Sequence, residues 1–245
     1  MNAPALVLIA HGTRSTKGVA LIARLAEAVT GELAASSPGG ARTPCVRTAF
    51  VDVLGPSPAE VLRDLAERGS EAVAVPAFLA SGYHVYHDVP RAVAESGHPG
   101  VVVTPAMGPD PALARVQHLR LVAVGWRPGD EVVFAAAGSS DARARADVRR
   151  AAGLLGARLG VEPTVGYIAT GAPTVGDSVA ALRVSGGKRV FVASYLLSHG
   201  LFQQRLSEAE ADGVAAPIGV HRSVVGLIAE RYRSAVHELD RTHAR

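Results

Sequence analysis

The feature that most constrains this 245-residue chain is a strand–turn–helix pattern that runs through once and then starts again. "ALVLIA" (residues 5–10) is an unbroken apolar run, as a strand covered on both faces requires. Helical spacing follows at Val19, Ile22, Leu25, Ala26, Val29 and Leu33. "VRTAFVDV" is a second strand. In "SPAEVLRDLAERG", Ser57 is placed as an N-cap, Pro58 opens the helix, Glu60 completes a capping box and Gly69 ends it. "EAVAVPAFL" is a third strand, and "DVPRAVAESG" a short helix opened by Pro90 and closed by Gly97. "GVVVTP" and "DPALARVQHLRLVAVG" supply a fourth strand and helix. Strands that alternate with helices in this way form parallel βαβ units with right-handed crossovers.

After the Pro/Gly turn "GWRPGDE" (residues 125–131) the pattern restarts. "EVVFAAAGSSDARARADVRRAAGLLGARLG" echoes the opening strand, glycine turn and helix. "TVGYIATGAPTVGDSVAAL" echoes "VRTAFVDVLGPSPAEVL", and "KRVFVASYLLSHGLFQQRL" echoes "EAVAVPAFLASGYHVYHDV". "APIGVHRSVVGLIAERY" echoes "TPAMGPDPALARVQHL". Each copy, at about 120 residues, is domain-sized and not a solenoid repeat. The expected fold is therefore α/β: two similar lobes, each a parallel sheet flanked by helices, over residues 1–126 and 127–245, with a cleft between them. Ligands of such sheets bind beyond the carboxyl ends of the strands.

Composition removes several alternatives. Hydrophobic residues make up 48% and charged residues 19%, enough apolar side chains for a full core. Net charge is only +3 and aromatics are 4%, without a dense Lys/Arg run, which argues against a nucleic-acid groove. The single cysteine, Cys45, forms no intrachain disulfide. "MNAPALVLIAHG" lacks the charged n-region of a secretory signal, and no apolar run is long enough for a membrane span. A soluble cytoplasmic protein is expected.

The opening stretch "LVLIAHGTRSTKG" admits two chemistries. A phosphate loop needs G-x-x-x-x-G-K-[ST], but here Lys17 precedes Gly18, and no G-x-G-x-x-G follows any strand. The second chemistry is metal binding. His11 ends the first strand, Asp52 ends the second, and His84 follows the third in "FLASGYHVYHDVP". A parallel sheet brings all three to one carboxyl edge. Two imidazoles and a carboxylate suit first-row divalent metals. Taken singly, each of the three is equally well a turn or surface residue.

The duplication supplies an internal comparison. Matching glycines and prolines aligns His11 with Ala137, Asp52 with Ala169 and His84 with Phe202. The second copy keeps the scaffold and lacks all three polar groups, which argues that they serve a ligand in the first copy; independent drift is the alternative. His87 is a second ligand, a proton relay or a solvated side chain, and His199 is a candidate for the opposite cleft wall. His98, His118, His221, His237 and His243 are expected at the surface. Arg14, Lys17, Arg91, Arg143, Arg145 and Arg205 lie near strand-to-helix turns, where they suit carboxylates of a polyanionic ligand.

"LVLIAHGTR", "AFVDVLGPSPAEVL" and "VPAFLASGYHVYHDVP" resemble, in order, the motifs of the sirohydrochlorin chelatases of the CbiX type, in the class II chelatase family. The similarity spans nearly the whole chain and points to the long form with two fused halves. The resemblance implies ATP-independent insertion of Fe2+ or Co2+ into sirohydrochlorin, for siroheme or cobalamin synthesis. It implies that His11 and His84 hold the metal and assist proton removal, and that no cofactor stays bound. Asp52 stands where the family commonly has glutamate, as a further ligand or orienter. Arg14 and Lys17 become candidates for the substrate's carboxylates. Long members of the family have one active centre, in keeping with the loss of the motif histidines from the second half, and fusion in place of a homodimer implies a monomer. A metal or tetrapyrrole carrier of the same fold, without turnover, is the alternative.

Overall fold

The structure is a computed structural model that describes residues 3–36, 43–186 and 189–243. The side chains of residues 240, 242 and 243 lie outside the described ones, and with them the surface position expected for His243. The first half of the chain runs β1 (Ala5–Ala10), α1 (Thr16–Ala35), β2 (Val46–Phe50), α2 (Pro58–Glu67), β3 (Ala72–Pro76), α3 (Val89–Ser96), β4 (Val101–Val103) and α4 (Pro111–Ala123). The second half runs β5 (Glu131–Gly138), α5 (Ala142–Leu159), β6 (Thr164–Thr170), α6 (Val175–Gly186), β7 (Val190–Tyr195), α7 (Leu201–Leu206), β8 (Gly213–Val214) and α8 (Arg222–His243). These elements build two four-stranded, wholly parallel sheets, ordered β2-β1-β3-β4 and β6-β5-β7-β8, as the α/β expectation requires.

Local chemistry explains the elements. All six residues of β1 are buried, which accounts for the absence of polar alternation. Ser57 caps α2 through Oγ, which accepts from Glu60 N at 3.3 Å, while Glu60 Oε2 accepts from Ser57 N at 2.7 Å. Gly69 and Gly97 follow α2 and α3 with φ of +63° and +65°, the left-handed closure that glycine permits. In α1 the buried stripe is Leu21, Ile22, Leu25, Val29 and Leu33, while Val19 points outward.

The repeat boundary at residues 126–127 is not where the compact units divide. One unit comprises residues 1–107 and 224–245, the other residues 108–223. Packing explains the difference. Although α4 closes the first repeat, it packs on α5 and β7, with Gln117 Nε2 donating to Ser194 O at 3.3 Å. Although α8 closes the second repeat, it belongs to the first unit, where Tyr232 Oη donates to Pro4 O at 2.7 Å. The "GWRPGDE" segment is a turn within the second unit, held by Asp130 Oδ2 accepting from Arg127 N at 2.7 Å.

The core of the first unit gathers around Val7, Ile9, Val61, Leu62, Ala74 and Val89. That of the second unit gathers around Val133, Ala135, Val175, Val179, Val192 and Leu206.

Candidate metal centre

In the first sheet β1 lies between β2 and β3, so the loops leaving β1 and β3 diverge at the carboxyl edge. That divergence is the switch point where open α/β sheets bind ligands. His11 follows the last residue of β1, His84 lies on the connection after β3, and Asp52 lies just beyond the end of β2.

Gly12 is what brings the first two loops together. A Cβ at Gly12 would fall 1.7 Å from Asp52 O and 3.1 Å from Leu54 N, so only glycine lets the β1 exit pass the loop after β2. The glycine after β1 therefore serves a backbone approach, not a phosphate cradle. The same device recurs after β5, where a Cβ at Gly138 would fall 1.9 Å from Thr170 O. In the first unit the approach sets Asp52 Oδ2 3.9 Å from His11 Nε2, with both side chains half exposed. Val53, next in the chain, has φ +66°, a left-handed conformation that a β-branched residue adopts only under strain.

His84 opens a π turn, His84–Asp88, that runs directly into α3. The wide turn is closed by Val89 N donating to His84 O. The His84 ring stacks on Phe78 (centroids 5.9 Å, 18°) and meets His11 edge to face, with centroids 4.8 Å apart at 85°. Both rings use Nδ1 internally. His11 Nδ1 lies 2.7 Å from Gly12 O, and His84 Nδ1 lies 2.6 Å from Asp88 Oδ2. A carbonyl and a carboxylate only accept, so each Nδ1 carries a proton, and in the neutral ring that tautomer leaves the Nε2 lone pair free. Two imidazoles are thus set side by side as metal donors or bases, with a carboxylate facing one of them. Among the described residues no group of three or more His, Cys, Asp or Glu side chains is placed to enclose a metal ion. The arrangement is an open pair, not a closed structural cage.

The family model for CbiX matches residues 5–124 and again 131–235. The chain belongs to the CbiX family. The two matches coincide with the two copies of the strand–helix pattern, so this CbiX chain carries the family unit twice. It is similar to the structure of SirB from Bacillus subtilis with Fe3+ (TM-score 0.82, 20% identity, 98% of each chain covered). It is also similar to SirB from Bacillus subtilis subspecies spizizenii in complex with cobalt (TM-score 0.75, 21% identity, 97% of this chain and 96% of that one). A third likeness is to CbiX described as the terminal enzyme for biosynthesis of siroheme in denitrifying bacteria (TM-score 0.68, 25% identity, 94% and 99% covered). Nothing matches among the curated proteins.

The second CbiX unit shows what the same edge looks like without the polar groups. Phe50 N donates to Pro56 O at 2.9 Å and Tyr167 N to Pro173 O at 3.0 Å, which fixes the correspondence of the two loops. Ala137 and Phe202, which occupy the places of His11 and His84, pack against the apolar core. Of the remaining candidates, Arg14 and Lys17 are exposed and engage no described partner. Arg91 is engaged by Asp88 at 3.0 Å, Arg143 by Asp141 at 2.9 Å, and Arg145 by Ser140 O at 2.7 Å. Arg205 lies over the Phe202 ring at 5.9 Å. His87 stacks on Tyr83 at 4.7 Å, and His199 is exposed in the second unit.

Three histidines expected at the surface are only half exposed. His98 bridges Ser70 O and Gly100 N, His118 packs on Trp126, and His221 accepts from Ser223 N. Asp88 and Phe78 were not singled out from sequence. The i,i+4 spacing of His84 and Asp88, on a turn that continues as a helix, was the available signal.

Proposed function

We propose that this CbiX-family chain is a sirohydrochlorin chelatase that inserts Fe2+ or Co2+ into the macrocycle without ATP, for siroheme or cobalamin synthesis. The observation that carries the proposal is the facing pair His11 and His84, each with Nδ1 occupied and Nε2 open. Membership of the family and similarity to the siroheme-forming CbiX enzyme support it.

The chemistry is an exchange: the free macrocycle and a metal dication give the metallated macrocycle and two protons. The pair has one Nε2 lone pair per proton. Each imidazole that gives up the metal regains the lone pair with which it accepts a pyrrole proton. Asp52, facing His11 Nε2, assists as ligand or orienter. Tyr83, Tyr86 and Val53 are exposed apolar groups on the same two loops and suit a flat ring, while Arg14 and Lys17 suit its peripheral carboxylates. The site lies in the first repeat and the second repeat serves as its degenerate partner, which in turn supports a monomer. Among the described residues no helix is long and apolar enough to cross a membrane. A cytoplasmic location is part of the proposal.

The test is anaerobic incubation of the protein with sirohydrochlorin and each metal, followed by absorption. Acceleration over the uncatalysed rate is expected. His11→Ala and His84→Ala are each expected to lose about 10²–10⁴-fold while keeping the fold, as for loss of a positioned base. Phe202→Ala is expected to lose far less activity. A wild-type rate equal to the uncatalysed one, with tight retention of metal, identifies a carrier and overturns the proposal.

A further inference from the structure

The polar chain does not stop at His84. Asp88 Oδ2 lies 2.6 Å from His84 Nδ1, and Asp88 Oδ1 accepts from Arg91 Nη2 at 3.0 Å. Arg91 Nε in turn lies 3.7 Å from Glu95 Oε1. The Asp88 side chain is only 12% exposed, although it sits between a histidine and an arginine that both reach solvent. It accepts from two sides and cannot rotate away without breaking both contacts.

The second repeat loses the whole chain together. With His84 at the place of Phe202, the same offset sets Asp88 against Leu206 and Arg91 against Ala209. Leu206 belongs to the apolar core of that unit, and Phe202 and Ala209 pack against it. The second copy has α7 where the first has the π turn, so the segment differs in backbone as well as in these side chains. The carboxylate's disappearance in step with the histidine links the two.

We infer that Asp88, braced by Arg91, is a positioning residue that holds His84 in the Nδ1–H tautomer and so keeps the Nε2 lone pair available to the metal. The inference rests on the chelatase proposal for its effect on turnover, but not for its effect on the ring. Carboxylates behind metal-binding imidazoles act in this way, fixing ring orientation and raising basicity.

The bracing makes a sharp test. In Asp88→Asn the amide must turn its oxygen to Arg91, because two donors do not face each other. Its NH2 then faces His84, which is forced to accept at Nδ1 and carry its proton on Nε2. Imidazole 15N shifts of the full-length protein are expected to show His84 as the Nδ1–H tautomer in the wild type and the Nε2–H tautomer in Asp88→Asn. Co2+ titrated alone is expected to bind about 10–100-fold more weakly to the variant, and kcat for chelation to fall in proportion with KM for sirohydrochlorin unchanged. Adding Arg91→Ala releases the amide to turn back, so the double variant is expected to recover part of the loss. A purely structural role predicts the opposite, with the double variant worse than either single one.

An unchanged tautomer and unchanged Co2+ affinity in Asp88→Asn would overturn the inference. If the wild type does not chelate at all, the chelatase proposal falls, and the 15N and Co2+ readouts still decide the role of Asp88. Asp88→Ala, with a far-UV CD melt, checks that the fold survives loss of the side chain.

Discussion

Replacing Gly12 by alanine puts the site's construction to a quantitative test. The added Cβ falls 1.7 Å from Asp52 O and 2.9 Å from Asp52 C. Restoring an ordinary contact of roughly 3.4 Å takes about 1.7 Å of backbone displacement. The obstacle is backbone on a loop that already holds Val53 at φ +66°, so no flexible side chain can give way. Overpacking of this kind costs about 1–3 kcal/mol, which lowers the melting temperature by roughly 2–12 °C in a chain of this size. The displacement separates the loop of His11 from that of Asp52, and misplacement by about 1 Å costs on the order of 10²-fold in rate.

Gly138→Ala is the matched control. Its Cβ falls 1.9 Å from Thr170 O, and φ at this position is +96°, so its stability loss is expected to be at least as large. The second unit's edge carries Ala137 in place of the histidine, so chelation should persist once the melt confirms folded protein. The measurements are a thermal melt and kcat/KM for metal insertion, taken on both variants below the lower melting temperature. Full activity in Gly12→Ala, or an equal loss in Gly138→Ala, would refute the claim that this close approach assembles the site.

Stability should also depend on pH through His118 and His221. Burial, then Arg158, holds His118 below its ordinary 6.5, and burial, then Arg120, Arg222 and Arg115, does the same for His221. The folded protein resists protons that the unfolded chain accepts, so this contribution is complete above pH 6.5 and is lost as pH falls below it. The urea midpoint should drop between about pH 7 and pH 5, and a His118→Gln, His221→Gln double variant should flatten that slope; a slope left intact would contradict it. Arg14→Ala with Lys17→Ala should raise KM for sirohydrochlorin about tenfold at low salt and leave kcat in place, with the gap closing as salt is added. An unchanged KM at low salt would remove both residues from substrate binding.

Much of the first unit was legible along the chain. The unbroken apolar run of β1, the Ser57–Glu60 capping box and the closures at Gly69 and Gly97 depend on neighbours within a turn or two, and such spacing survives in a linear sequence. The duplication was legible for the same reason, and it singled out His11 and His84 by their replacement with Ala137 and Phe202. The basic residues were less so. Arg91, Arg143 and Arg145 looked available for a polyanion, but each has a partner on its own turn or helix, whereas Arg14 and Lys17 are exposed and have none among the described residues.

What the sequence by itself determined, then, is the alternation of elements, their repetition, and the residue types at the carboxyl edge of the first sheet. Tertiary structure alone decided that α4 and α8 leave the repeats that encode them, because a helix is placed by the apolar surface that covers it and not by its position in the chain. It alone decided that Gly12 faces Asp52 O, that the two imidazole centroids stand 4.8 Å apart, and that Asp88 turns back onto His84. Those facts depend on strand register and on how closely two remote backbones approach, and both are set by the packing of the whole sheet.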